Sequence, residues 1–363
     1  FLYLVVLPHS IYMMIDLKYN ALFLSTLFGA LFISVLKLKL NLISASRPLF
    51  FFTCIIFVLS ILVFMLKEGV NQYAVIFLPI FSLISFNYIS KFKIDLRWFN
   101  FVFAFFYIYF YLIYFSKLPD LFYRPGFDED AIVFERASSN GISMALNMTL
   151  YSYVILEYYF NQNRKKDILI IGLINLCFII IQQSRAGVVC AIFILLIILY
   201  EHFRKYFKSG LIFTLIVAAF VSVKTRIFHV FIERVGLNVR FSEDIRSEAV
   251  LDFLNIIWQK DFILGAPIST TFSSATYTFN VFLDFWNNYS FFGFLILILF
   301  FLLRYINRRK YYFPIYYFIP FFTYAFFESI FLPNYWDAII YLLLFVKIKP
   351  EFLKSRCQIK SNQ

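Results

Sequence analysis

The chain is 363 residues long, 62% hydrophobic and 23% aromatic, with only 15% of its residues charged. A water-soluble domain cannot hide that much apolar surface, so the composition argues against a soluble enzyme and for an all-α polytopic membrane protein. The formal net charge of +12 would suit nucleic acid, yet its placement along the chain assigns it to membrane topology.

Apolar segments fall, in chain order, at residues 1–15, 20–36, 49–66, 72–90, 98–116, 140–160, 168–181, 187–200, 210–223, 285–303, 311–329 and 335–348. They predict about twelve transmembrane helices in one integral membrane domain over 1–363, some shorter than the ~20 residues an upright span needs. The first segment opens at Phe1 rather than Met, which suggests a fragment or a trimmed N-terminus, and it lacks the basic leader and cleavage site of a signal peptide. The 53 Phe and 26 Tyr are expected to face lipid and neighbouring helices rather than sugars.

Charge alternates between the connections. Those around Lys37–Arg47, Lys91–Arg97, Arg164–Lys166, Arg204–Lys208 and Arg304–Lys310, with the tail from Lys347, carry 21 basic residues against five acids within or beside them, Asp95, Glu157, Asp167, Glu201 and Glu351. The other connections hold 12 basic residues and 16 acids. Basic loops stay in the cytoplasm, so both termini are expected inside and no nucleic-acid partner is expected.

Two outer connections are long, at 117–139 and 224–284, and long loops in a compact protein are commonly functional. The second contains an amphipathic helix by spacing, with Val250, Leu251, Leu254, Ile257 and Trp258 three or four residues apart, broken at "LGAP". Cys54, Cys177 and Cys190 lie in spans and Cys357 in the tail, so no outer-loop disulfide is implied. There is no glycine-rich phosphate loop, no HExxH and no paired CxxC, which leaves a nucleotide-driven pump without support.

The most unusual stretch is "FIIIQQSRAGVVCAIF", where Gln182, Gln183, Ser184 and Arg185 interrupt two hydrocarbon runs. The apolar legs 168–181 and 186–200 would each rise ~21–22 Å at ~1.5 Å per residue, against a hydrocarbon core of ~30 Å. The tip is therefore expected below the outer surface, where an arginine costs ~2.5 kcal/mol or more unless a cavity or partner charge receives it. Arg47 has the same Ser-Arg dipeptide among the cytoplasmic anchors, whereas Arg185 stands alone on the other side. A guanidinium can hold phosphate with two hydrogen bonds.

"QQSRAG" resembles the Ser-Arg-(Ala/Gly) element of the O-antigen polymerase and O-antigen ligase superfamily. "IRSEAVLDFLNIIWQKDFILGAP" is similar to its arginine-led amphipathic segment, "TFNVFLDFWNNYSFFG" to its Asn-containing stretch ending here in Gly293, and "YRPGF" with "SSNGISMAL" to its outer loop and following helix. The resemblance spans roughly residues 120–330 and implies a GT-C-like architecture. Ligases of that superfamily carry a loop histidine before the Asn; here Phe279 precedes Asn280, and the outer-loop histidine, His229, sits in the apolar run "RIFHVF". The resemblance therefore favours a repeat-unit polymerase that joins undecaprenyl-diphosphate-linked oligosaccharides outside the inner membrane, for O-antigen, capsule or exopolysaccharide.

By that resemblance, Arg185 and Arg246, with Arg240, would hold the departing diphosphate. Arg124, Ser184, Asn280 and Asp284 would contact substrate, and the general base would come from Glu248, Asp252, Asp284 or Glu328. Glu248 and Asp252 share a helical face that Arg246 does not, so one helix cannot aim all three at one point. Asp128 and Asp130 have the spacing of a metal-binding pair, but the superfamily is regarded as metal-independent, and neither metal nor cofactor is expected. Membrane lipids and a chain-length regulator are the further partners it would bring. A ligase acting on the lipid A core, a polysaccharide flippase and a scaffold subunit are the competing readings. Transporters tend to show internal repeats, and none is visible here.

Overall fold

The computed structural model describes residues 47–66, 83–84, 95–114, 139–181, 185–203, 245–259, 262–265, 280–306, 313–325 and 337–345, with isolated positions between 207 and 216. These residues are 91% helical and contain no strand, so the protein is all-α over the described residues. In chain order the helices are α1 (Arg47–Leu66), α2 (Arg97–Tyr114), α3 (Ser139–Phe160), α4 (Lys165–Ile181), α5 (Arg185–His202), α6 (Ile245–Gln259), α7 (Val281–Ile306), α8 (Ile319–Ala325), entered through a 3-10 turn at Ile315–Phe318, and α9 (Asp337–Phe345). Six of the expected spans lie on α1, α2, α3, α4, α5 and α7 to within a few residues. The span expected at 311–329 is shared by the 3-10 turn and α8, and the one at 335–348 matches α9. Spans 1–15 and 20–36 lie outside the described residues, as do most of 72–90 and 210–223.

One described helical stretch, Phe282–Leu303, is long and apolar enough to cross a membrane; Leu49–Val63, Ala186–His202 and Ala249–Trp258 are apolar but shorter. On α1 the buried Leu49, Phe52, Ile56 and Val63 face inward, while the exposed Phe51, Ile55, Val58 and Leu62 form an equally apolar stripe outward. α2 repeats this with exposed Trp98, Phe101, Phe105 and Ile108, and α7 with Phe292, Leu295, Leu299 and Leu302.

The chain divides into two compact units. The first, residues 1–29, 93–239 and 355–363, contains α2 to α5. Here α3, α4 and α5 pack on one another. Gly172 permits the α4–α5 approach, because a Cβ there would stand 2.7 Å from Leu195 Cδ2 and 3.3 Å from Ile198 Cδ1. The α3–α4 connection turns through Asn161 and Asn163 at positive φ (51° and 60°), a region asparagine tolerates. The fully buried Glu157 accepts the Gln162 N–H at 3.1 Å and the Arg164 N–H at 3.2 Å. Asp167 accepts Asn100 Nδ2 at 3.0 Å and Arg164 Nη1 at 3.3 Å, and the Tyr153 hydroxyl donates to Asn100 Oδ1 at 3.0 Å. This staple ties three helix ends together. By charge pattern alone, Glu157 and Asp167 read only as acids beside a basic connection.

The second unit, residues 30–92 and 240–354, contains α1 and α6 to α9. α7 packs on α1 at Gly293, where an added Cβ would lie 3.6 Å from Leu59 Cδ1 and 2.8 Å from Tyr289 Cβ. α7 breaks at Ser290 (φ 70°, ψ 169°), a conformation suited to glycine. The Phe291 N–H donates to Ile263 O at 2.8 Å instead of continuing the ladder, and the Trp286 indole N–H donates to Phe262 O at 3.0 Å. Gly265, in the expected break, has φ 86°. Ser290 Oγ is buried without a hydrogen-bond partner, so Ser290→Gly removes both a strained φ and an unpaired hydroxyl. A stabilisation of about 1 kcal/mol is expected, after allowing for the greater freedom of glycine in the unfolded chain. A thermal melt in detergent checks this; a lowered midpoint would show that the kink is not strained.

Candidate functional site

Within the second unit, α6, α7 and α8 line an open groove with a volume of about 650 Å³. Val250 and Leu254 line it from α6, Phe294, Ile298 and Phe301 from α7, and Phe318 from the turn before α8. Asn280 is the one polar residue of the lining. Its Oδ1 accepts the N–H groups of Phe282 at 3.0 Å and Leu283 at 3.3 Å, making it the N-cap of α7. Asp284 follows one turn later, donating its N–H to Asn280 O at 2.9 Å, with its side chain buried.

The carbonyl of Asn280 Oδ1, expected to contact substrate, is thus engaged in starting a helix. Asn280→Ala is expected to cost about 1 kcal/mol through the lost cap, whereas Asn280→Asp keeps an acceptor there. If the Asp variant is stable and active and the Ala variant loses both together, the residue acts as a cap; activity lost at unchanged thermal midpoint would restore the substrate contact.

α6 departs from the expected amphipathic pattern. Ala249, Phe253 and Ile257 form its core face with Trp286, while Leu251, Leu254 and Trp258 are exposed. Trp258, at 81% exposure, stands furthest out. At 100° per residue, position 246 falls on the face of Val250, Phe253 and Ile257. Position 248 falls on the opposite face, beside the exposed Asn255. Position 246 therefore lies in line with the core face of α6, one turn before Val250, and position 248 on the side away from it.

The first unit holds the hairpin. α4 and α5 run 17 and 18 residues, longer than the apolar legs. The added residues Lys165, Lys166, Asp167, Arg185, Glu201 and His202 are polar, so the apolar length is unchanged. Arg185 is the first residue of α5. A short way down the bundle, Asn147 Nδ2 donates to Gly187 O at 2.8 Å, and Asn175 Nδ2 donates to Asn147 Oδ1 at 2.9 Å. Both asparagines are completely buried. Sequence reading missed this pair, because a single Asn in an apolar helix carries no partner information.

Ser184, Arg124, Arg240 and Glu328 lie outside the described residues, as do Asp128, Asp130, His229 and Phe279. Arg185 belongs to the first unit, and Arg246, Glu248, Asn280 and Asp284 to the second. Among the described residues, no three His, Cys, Asp or Glu side chains gather as a metal site requires. Compared with protein-family models, curated proteins and solved structures, the chain matches none.

Proposed function

We propose that the chain is a multi-spanning bacterial inner-membrane glycosyltransferase with both termini cytoplasmic. It joins polyprenyl-diphosphate-linked oligosaccharide repeat units on the outer face. The observation that carries this reading is the apolar groove lined by α6, α7 and α8, with Asn280 as its one polar lining residue. A hydrocarbon groove suits the chain of a polyprenyl lipid. Its volume lies within the ~300–1,000 Å³ of small-molecule sites, enough for part of such a chain.

Two further features support it. The outward stripes of α1, α2 and α7 are as apolar as their buried faces, which favours hydrocarbon over water as their surroundings. Arg185 opens α5, and a cation at the positive end of a helix dipole is unfavourable for the helix. Arg47, Arg97 and Lys165 also open helices, but at ends that charge pattern assigns to the cytoplasm. Arg185 has no such account, and an anion there would gain from both guanidinium and helix N-terminus.

In this mechanism the acceptor hydroxyl attacks the anomeric carbon of the donor, the bond to the diphosphate oxygen breaks, and the hydroxyl proton passes to a carboxylate. The donor is already activated, so no nucleotide is consumed. In the first unit, Arg185 is the cation this reading assigns to the departing diphosphate. Asp284, buried one turn from the groove residue Asn280, is a better base than Glu248, whose position turns away from the core face of α6.

Deleting the gene and resolving the surface polysaccharide on a gel tests the reading. Core carrying a single repeat, with the ladder restored by the wild-type gene, is the expected result. Bare core with lipid-linked polymer accumulating would make the protein a ligase, and repeat units trapped on the cytoplasmic side would make it a flippase.

A further inference from the structure

We infer that Asn147 is a positioning residue for Arg185, acting through the first turn of α5; the inference rests on the proposed role of Arg185. Asn147 reaches from α3 to the carbonyl of Gly187, two residues beyond Arg185. That carbonyl belongs to the opening turn, and it has a second lone pair to offer while serving the helical ladder. Helix ends fray, and glycine weakens a helix by about 1 kcal/mol relative to alanine. The turn bearing Arg185 is therefore intrinsically loose, and the bond from α3 restrains it.

Asn147 Nδ2 faces Gly187, and its Oδ1 accepts a hydrogen bond from Asn175 of α4. The helix that carries Asn147 is well anchored. Thr149 and Ser152 bond back to Ala145 O and Met148 O, each at 2.7 Å, and residues from Ser143 to Tyr158, with the exception of the half-buried Met144, are buried. Stability alone does not call for this arrangement. Asn175 Oδ1 is buried with no partner, and a partly satisfied network is worse for stability than leucines of similar volume. The pair makes sense where a precise position is worth more than the polar burial it costs.

The placement matters because a displacement of ~1 Å at a group that stabilises a leaving anion can lower the rate about a hundredfold. Arg185 gathers its effect in the transition state, when the diphosphate gains charge. Losing the restraint should therefore lower kcat and leave KM nearly unchanged.

The test uses the full chain in proteoliposomes, with the lipid-linked repeat unit extracted from the deletion strain as substrate. Asn147→Leu removes the bond to Gly187; Asn175→Leu leaves it in place while disrupting the same buried pair. Both are expected to lower the thermal midpoint. Asn147→Leu is expected to lower kcat about ten- to a hundredfold, and Asn175→Leu to keep it within about threefold. In an Arg185→Ala background, Asn147→Leu should cause no further loss, because the two act through one group. Additive losses in the double variant, or kcat values that follow the midpoint across both leucine variants, would overturn the inference while leaving the functional reading intact. Should Asn147→Leu fail to fold, Asn147→Ser, too short to reach Gly187, is judged by the same criteria. Full activity of Arg185→Ala would remove the role of Arg185 and the inference with it, while the functional reading would still stand or fall by the gene-deletion gel.

Discussion

Arg185→Ala is expected to lower repeat-unit polymerisation by ~10²–10³, the usual cost of one donor aimed at a developing oxyanion. The chain should still insert and melt near the wild-type temperature, since Arg185 opens α5 at the unfavourable end of its dipole. Arg185→Lys separates two roles. A lysine snorkels to the interface as well as an arginine does, so a pure anchor would survive the exchange. A bidentate phosphate contact would not, because the ammonium lacks the planar fork. The expected gel therefore shows core plus one repeat for both variants, with a faint short ladder for the lysine. A full ladder from Arg185→Lys alongside an impaired Arg185→Ala would make the residue an anchor.

Trp286→Ala is expected to destabilise the second unit by about 3–5 kcal/mol, the range for deleting a buried aromatic side chain. Trp286 lies among Phe253, Phe262, Phe291 and Phe294, with ring centroids 6.0, 4.9, 4.9 and 5.5 Å away. Its indole N–H also holds the turn after α6 through Phe262 O. Losing the ring frees that carbonyl and opens a cavity among Ala249, Phe253 and Ile257 of α6. α6 then detaches from α7, and the groove loses the wall formed by Val250 and Leu254. Protease sensitivity within 245–265 and a lowered thermal midpoint should appear together with loss of the ladder. Trp258→Ala is the control: that ring is exposed on the same helix, and its removal should change stability by less than ~0.5 kcal/mol. Equal effects of the two substitutions would mean that α6 does not pack through Trp286.

The sequence by itself determined the helices and their order. A helix pairs the backbone groups of a long apolar run within the run itself, so α1 to α5 and α7 lie where hydropathy placed them. The alternating charge of the connections was equally legible, because it is a one-dimensional property of the chain. The opposition of Arg246 and Glu248 on α6 followed from helical spacing alone. Tertiary structure decided which apolar face is core. On α6 the stripe Val250, Leu251, Leu254, Ile257 and Trp258 reads as the buried one, yet of these only Ile257 joins Ala249 and Phe253 against Trp286, and Leu251, Leu254 and Trp258 are exposed. Hydrophobicity is non-directional and cannot distinguish two apolar faces of one helix; that choice lies with side chains distant in sequence. The same holds for Asn147, Asn175 and Gly187, and for the staple of Glu157, Asn100 and Asp167, whose hydrogen bonds join residues up to 67 positions apart. A polar residue in an apolar run announces a cost, and only the folded packing of neighbouring helices names the partner that offsets it.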